Sequence, residues 1–450
     1  MWIGIDDTDS INGGCTTYLV AELIKELKEY GVVGYPRLVR LNPTLPWKTR
    51  GNGAVAIQFG RKDKVERESK FPIAFLDGNL IFGFAVGKCE EEKADESIIK
   101  KVSKIVERLA WFKDPKTNPG FVVFNKPLSN DFYWGAVRGV LSQKEAKKEI
   151  ERRKGFYRGY KNERGLIGAT AAVSWEGKDF TFELIAYRDP EFFGKSRGID
   201  DESVKKLDGE CPRTFDNWDW KNDHNRIKPN SKGPVYYGIR GEDPSELMRG
   251  KELVKSEPVH EWVLFKTNQA TDDHLVRKQI AGVKPYESAI IEGKVCKAPV
   301  TIKGGHVIFV LEDKTGVIDC AAYEPTKEFR SVVRELKVGD LIECYGSVRK
   351  ERERLTLNLE KIKILKLVKV KAKTENPLCP RCKIHMHSVG KGGGYRCRRC
   401  RAKASQKEAL FKEIPRKINL GFYEVPVCAR RHLAKPLKRM KYPTFFTSNF

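Results

Sequence analysis

Residues 4–19 read GIDDTDSINGGCTTYL, and three of them, Asp6, Asp7 and Asp9, are carboxylates at the exit of the apolar stretch WIGI. Hard oxygen donors in such a cluster suit Mg2+, which keeps substrate phosphates in its octahedral shell. Gly13 and Gly14 allow backbone N–H groups to approach phosphates, and Thr16 and Thr17 precede the apolar-periodic run YLVAELIKELKEYG. The N-terminus of a helix there would favour anions. The chemistry expected of Asp6, Asp7, Asp9, Gly13, Gly14, Thr16 and Thr17 is therefore the binding of ATP with Mg2+. A competing reading has the aspartates shaping turns and a threonine capping the helix for about 1 kcal/mol. No Walker loop is present, and spacing alone leaves both readings open.

Three further groups of residues could do chemistry. The loop LNPTLPWKTRGNG offers Lys48 and Arg50 to phosphate, with Trp47 as a base-stacking or core residue. The loop KSRGIDDES pairs Arg197 with Asp200 and Asp201, a combination that can neutralise a transferring phosphoryl group or form a surface ion pair. The most specific signal is CPRC with CRRC: Cys379 and Cys382, fourteen intervening residues, then Cys397 and Cys400. Paired knuckles of this kind give four thiolates to a tetrahedral Zn2+ with no open position, which makes the metal structural. His385 and His387 are then surface or RNA-facing groups. Arg398 and Arg399 make the ribbon basic, and the final segment CARRHLAKPLKRMKYP adds Arg430, Arg431 and Lys435 interleaved with His432 and Tyr442. Such residues either form a solvated face or track RNA phosphates.

The elements that must position these residues follow from pattern. Strand, acidic loop and helix open the chain, and short strands alternate with helices as far as about residue 280, consistent with two α/β units that can interleave. From Glu287 the rhythm is purely strand-like: five strands with one helix, PTKEFRSVVREL, between the third and fourth. That order is the OB-fold, a small barrel used on single-stranded nucleic acid.

The whole chain has 450 residues, enough for three or four cores. Lysine and arginine number 85 against 60 acids, giving +25 and a pI near 9.5. A dense ion-pair surface explains high charge but not an excess of one sign, so a polyanionic partner, nucleic acid first, is expected. No apolar run approaches the roughly 20 residues of a membrane span, so the expectation is no membrane partner and a soluble, cytoplasmic protein. The seven cysteines outside the knuckles read as core thiols of a reducing compartment.

Taken in order, GIDDTDSINGGCTTYL, RLNPTLPWKTRGNGAV, RGLIGATAAVSW, SRGIDDESV, GIRGEDP, FKTNQATDDHL, the OB strands, the knuckles and ARRHLAKPL resemble the archaeal tRNA(Ile) agmatinylcytidine synthetase family across nearly the whole chain. The resemblance implies ATP-dependent attachment of agmatine to the wobble cytidine of an isoleucine tRNA with a CAU anticodon. It implies a multidomain α+β protein: a kinase-like α/β domain (1–60 and 131–200), a ferredoxin-like domain with connecting segments (61–130 and 201–280), an OB-fold (281–370) and a zinc ribbon with a basic C-terminal segment (371–450). By the same resemblance Thr16 is autophosphorylated, Asp7 and Asp9 serve Mg-ATP, and Arg197 and Asp200 belong to a catalytic loop. One departure is Lys383, where many knuckles carry glycine. Agmatine's guanidinium calls for carboxylates, with Asp272, Asp273, Glu242 and Asp243 as candidates. The rival expectations are a non-catalytic RNA-binding OB-fold and zinc-ribbon protein, and an ATP-dependent tRNA modifier that uses another amine.

Overall fold

The computed structural model describes residues 1–61, 70–85, 94–351 and 353–440; Cys89 and Tyr442 fall outside them. The apolar run at the N-terminus forms β1 (Trp2–Asp6), which pairs antiparallel on both sides, with β3 (Gly53–Arg61) and β6 (Gly120–Phe124). Around it an eleven-stranded sheet adds β2 (Tyr30–Arg40), β4 (Lys70–Leu76), β5 (Asn79–Phe84), β7 (Phe156–Gly159), β8 (Thr181–Tyr187), β9 (Thr214–Phe215), β10 (Val235–Gly241) and β11 (Glu261–Thr267). The order is β7-β6-β1-β3-β2-β5-β4-β11-β8-β10-β9. The two α/β units read from the sequence thus share one sheet. Strand β2 joins them: Val32 and Val33 pair with β5, then after a register shift Arg37 and Leu38 lie beside Lys266 and Thr267 of β11.

Alternation along β1 assigns the faces. Ile3 and Ile5 pack with α1 (Tyr18–Glu26) and α2 (Glu96–Leu109), whose Leu23, Val102 and Val106 complete that core. Trp2 faces the opposite layer of α3 (Asp131–Arg138), α4 (Gln143–Arg152) and α5 (Gly165–Ser174). Helix α5 comes from RGLIGATAAVSW, and every one of its residues except Ile167 is buried. Its small side chains let it lie directly on β1, where a Cβ at Gly4 would meet the Ala169 carbonyl oxygen at 2.3 Å. Helices α6 (Asp201–Glu210) and α7 (Pro244–Leu253) cover the β8, β10 and β11 end through Val204, Leu207 and Leu247.

The second body is the expected barrel: β12 (Ser288–Thr301), β13 (Val307–Asp313), β14 (Gly316–Ala322), β15 (Leu341–Glu351) and β16 (Arg354–Lys366). It closes because β12 pairs antiparallel with β15 while β14 runs parallel to β16. Helix α8 (Phe329–Arg334) lies between the third and fourth strands, as in an OB-fold. A small ribbon of three two-residue strands, His387–Ser388, Tyr395–Arg396 and Lys403–Ala404, carries the four knuckle cysteines in the turns and loops beside them. The chain then returns: Gly421–Glu424 pairs with β16, and residues 427–440 lie back across the first sheet. The Ala270 and Asp272 amides donate to the carbonyls of His432 and Leu433 at 2.7 and 2.8 Å. Among the described residues no helix is long and apolar enough to cross a membrane.

Candidate active site and zinc centre

The acidic loop leaves β1 through Asp7, whose φ of +57° turns the chain sharply. Asp6 points onto α5, where a Cβ at Gly168 would lie 1.9 Å from its Oδ2, so that glycine is what makes room for the carboxylate. Asp9 accepts from Thr49 Oγ1 at 3.1 Å and pairs with Arg50 at 3.0 Å. All three acids are pushed above the usual carboxylate range. Withdrawal from water is the main cause for each. The charges of Asp7 and Asp9 add to the shift of Asp6, and that of Asp9 raises Asp7 further, to about 7, against hydrogen bonds from Asn118. Arg50 and Thr49 oppose the shift of Asp9. Asp7 and Asp9 are the carboxylates of this loop that could hold a divalent cation, with Asp6 turned onto α5 and Asp9 shared with Arg50.

Thr16 and Thr17 follow. Thr17 stands at the start of α1 yet makes no capping hydrogen bond through its side chain. Its hydroxyl lies 3.0 Å from Cys15 Sγ, and the Thr16 hydroxyl accepts from Thr8 Oγ1 at 3.1 Å. Neither threonine caps the helix.

Asp6, Asp7, Asp9, Thr16, Thr17, Lys48 and Arg50 line one cleft of about 520 Å³. Gly13 and Gly14 do not. Gly13 instead makes room for the Trp111 ring, 2.4 Å from a would-be Cβ, and Gly14 adopts φ +72°. The opposite wall comes from β8, β10 and the loop after Phe215: Glu183, Arg240, Asp216 and Ser231. Arg50 spans the two walls by donating to Ser231 Oγ at 2.7 Å. Glu183 anchors the far wall through Arg240 at 3.0 Å, Arg40 at 3.7 Å and the Gln269 side chain. The returning C-terminal segment supplies a third wall with Arg430, Arg431 and His432. His432 Nδ1 lies 3.0 Å from Gln269 Oε1, and the guanidinium of Arg40, reinforced by desolvation and Arg240, holds its ring neutral.

Other expected residues lie elsewhere. Arg197 is one step removed from the cleft: it donates to the carbonyls of Val235, Ser231 and Gly233 at 2.9, 2.6 and 3.2 Å, and so shapes the loop that Arg50 reaches. Asp200 is exposed and caps α6, accepting from the Glu202 amide at 3.2 Å. Arg430 is held between Asp216 and Glu424, Lys435 by Asp179 at 3.0 Å, and Arg431 lies 3.4 Å from Glu360. Of the arginines expected to meet RNA, Arg398 and Arg399 are the exposed pair. The four carboxylates considered for agmatine are all outside the cleft and occupied. Asp272 binds Lys361 at 2.7 Å, Asp273 accepts from Tyr133 at 2.6 Å, Glu242 pairs with Arg439 at 3.0 Å, and Asp243 caps α7. Trp47 is 37% exposed, with the Arg164 guanidinium 4.5 Å from its ring centre. Sequence reasoning assigned no role to Arg40, Glu183, Ser231 or Gln269; Arg40 and Gln269 lie within the motifs RLNPTLPWKTRGNGAV and FKTNQATDDHL, which were the signal available, while Glu183 and Ser231 lie outside any such motif.

In the ribbon the sulfurs of Cys379, Cys382, Cys397 and Cys400 all lie within 4.8 Å of one another. Four converging thiols with no histidine among them fit a structural zinc ion. The residue after each knuckle, Lys383 and Arg401, adopts φ +54° and +57°, the conformation that glycine there would ease.

Family models match four stretches of the chain: the TiaS TCKD domain over residues 2–161, the TiaS FLD domain over 163–274, an OB-fold nucleic acid binding domain over 289–365 and the TiaS C-terminal zinc ribbon domain over 376–418. The isoleucine-tRNA 2-agmatinylcytidine synthetase TiaS of Archaeoglobus fulgidus is 43% identical over 447 residues, covering 98% of this chain and 97% of the relative. That of Methanocaldococcus jannaschii is 41% identical over 448 residues, covering 97% and 98%. A solved complex of TiaS with its isoleucine tRNA and ATP superposes with a TM-score of 0.82 at 43% identity, covering 98% of this chain and 97% of that one. A complex of TiaS with the same tRNA, AMPCPP and agmatine gives 0.79 at 39%, covering 98% of each. With identity of this level along the full length, and with the cleft and cysteine set in place, the chain belongs to the TiaS family of isoleucine-tRNA 2-agmatinylcytidine synthetases.

Proposed function

We propose that this protein uses ATP to join agmatine to C2 of the wobble cytidine in an isoleucine tRNA with a CAU anticodon. The single observation that carries the reading is the 520 Å³ cleft in which clustered carboxylates, a buried threonine and phosphate-directed cations meet. An amine does not displace the cytosine O2 oxygen unaided, because oxide is a very poor leaving group. Transfer of a phosphoryl group from ATP to O2 makes phosphate the leaving group. The primary amine of agmatine then attacks C2, the C2–O2 bond breaks, phosphate departs with the oxygen, and the new amine sheds a proton.

In this chain the work is positioning and electrostatics. Asp7 and Asp9 would hold Mg2+, which would supply charge neutralisation beside the phosphates, Arg50 approaches the charge that develops on the transferred group, and Thr16 is the residue that takes a phosphoryl in autophosphorylation. Arg197 shapes the loop that Arg50 reaches. The cytidine must leave the anticodon stack to enter, which favours a single-stranded target. Glu183 and Asp216 are the cleft's carboxylates outside the acidic loop; both already pair with arginines, Glu183 with Arg240 and Asp216 with Arg430, so a guanidinium entering the cleft would share them. The first-half domains act as kinase-like and ferredoxin-like units, the barrel and the basic ribbon hold the tRNA, and a tRNA substrate sets the reaction in the cytoplasm. A pure RNA binder would gain nothing from acids that repel phosphates.

The test is mass spectrometry of nuclease-digested tRNA after incubation with ATP, with and without agmatine. The expected product is one cytidine carrying agmatine less water, formed only when all components are present. An unmodified cytidine despite ATP consumption, or equal incorporation of an unrelated amine, overturns the reading.

A further inference from the structure

Beside the main cleft lies a smaller recess of about 190 Å³ walled by Arg40, Lys48, Arg349, Arg431 and His432, with no carboxylate in its lining. Three separate parts of the molecule build it: the loop between β2 and β3, strand β15 of the barrel, and the returning C-terminal segment. The loop is fixed against the barrel, because Asn42 Nδ2 and Thr44 Oγ1 both donate to the Tyr286 carbonyl, at 2.8 and 2.6 Å. Two of the cations lack a carboxylate partner among the described residues. Lys48 donates only to the Pro43 carbonyl, at 2.5 Å, and Arg349 has the Tyr286 ring at 5.9 Å. Burial and the neighbouring charges of Arg431 and Arg349 lower the Lys48 ammonium to about 8. Glu360, 3.4 Å from Arg431, offsets part of this charge from outside the lining, as Glu183 does for Arg40 at 3.7 Å, which leaves Lys48 and Arg349 as the cations that an anion entering the recess would meet.

We propose that this recess seats the RNA backbone phosphate adjoining the cytidine whose base enters the main cleft, with Arg349 and Lys48 as positioning residues. The inference rests on the proposed tRNA substrate. A nucleotide phosphate shares the chemistry, but Asp6, Asp7 and Asp9 line the main cleft and are absent from the recess. A triphosphate bridged by a cation to those acids therefore belongs in the cleft. The recess also shares Arg40, Leu41, Lys48, Gly51, Arg431 and His432 with that cleft, so a phosphate in one lies next to a base in the other.

The test measures binding of the CAU isoleucine tRNA to the full-length protein by fluorescence anisotropy, without ATP or agmatine, across a salt series. Arg349→Ala is expected to weaken binding roughly tenfold and to make the log–log salt slope shallower by about 0.7 to 1. KM for ATP stays unchanged, and Arg349→Lys restores the slope. Lys48→Ala, on a different element, is expected to be non-additive with Arg349→Ala, because both meet one phosphate. An unchanged affinity and slope in Arg349→Ala overturns the inference. A raised KM for ATP with RNA binding intact also overturns it and assigns the recess to the nucleotide. Failure of the unaltered protein to bind this tRNA at all is the distinct outcome that sinks the proposed function instead.

Discussion

Asp7 combines two unusual features, a left-handed backbone and a carboxyl that titrates near 7 rather than near 4. The sign of its effect follows from linkage. Between about pH 4 and pH 7 the folded ligand-free protein keeps a proton that the unfolded chain releases, so Asp7 makes the fold less stable as pH rises through that window. Asp7→Asn should flatten this part of the melting-temperature profile relative to the unaltered protein. In the same window Mg-nucleotide binding should strengthen as the carboxylate ionises and fade as pH falls through 7, a dependence that calorimetric titration reads. Gly168→Ala places a methyl on the Asp6 carboxylate, and the overpacking should cost about 1 to 3 kcal/mol together with nucleotide affinity. Thr16→Ala should abolish ligation and leave tRNA binding intact, with Thr17→Ala milder. Since neither side chain caps α1, equal losses at both positions would contradict the assignment of Thr16.

At the level of elements, the sequence made the ends of strands and the knuckles legible and left the helix α5 ambiguous. RGLIGATAAVSW is apolar all round, and periodicity cannot separate a buried helix from a strand in such a run. The helix was decided by packing between β1 and the outer helices. The ribbon was legible because CxxC spacing is a local signal. Cys379→Ser should release zinc, measured by atomic emission, and weaken tRNA binding while the main sheet melts unchanged. For the basic C-terminal segment the sequence leaves a solvated face and an RNA-phosphate track both open, and the segment is in part a strap, because its cations pair with acids in distant elements. Arg439, 3% exposed, reaches Asp179, Glu242 and the Ala270 carbonyl. Arg439→Ala leaves buried Glu242 without its ion-pair partner and Asp179 with Lys435 alone, and should cost about 3 kcal/mol or more, seen as a lower melting temperature and a loosened segment in hydrogen exchange.

The whole molecule places its cleft where three distant stretches converge: the acidic loop near residue 7, the β8 and β10 wall near 183 and 240, and the strap near 432. The first stretch was readable because its chemistry is contiguous in the chain. Glu183, Arg40 and Gln269 were not, since their role exists only after β2 has joined the two halves of the sheet. The barrel and ribbon follow in the chain and hold the expected RNA-facing charge, while the strap ties them back to the cleft. The proposed chemistry requires ATP phosphates to sit among Asp7, Asp9 and Arg50. A crystal structure of the protein with Mg2+ and a non-hydrolysable ATP analogue measures that directly. Triphosphate density beside those residues, with Thr16 within reach of the terminal phosphoryl, is the predicted result. A nucleotide bound in some other cavity while the acidic loop is left vacant would contradict it.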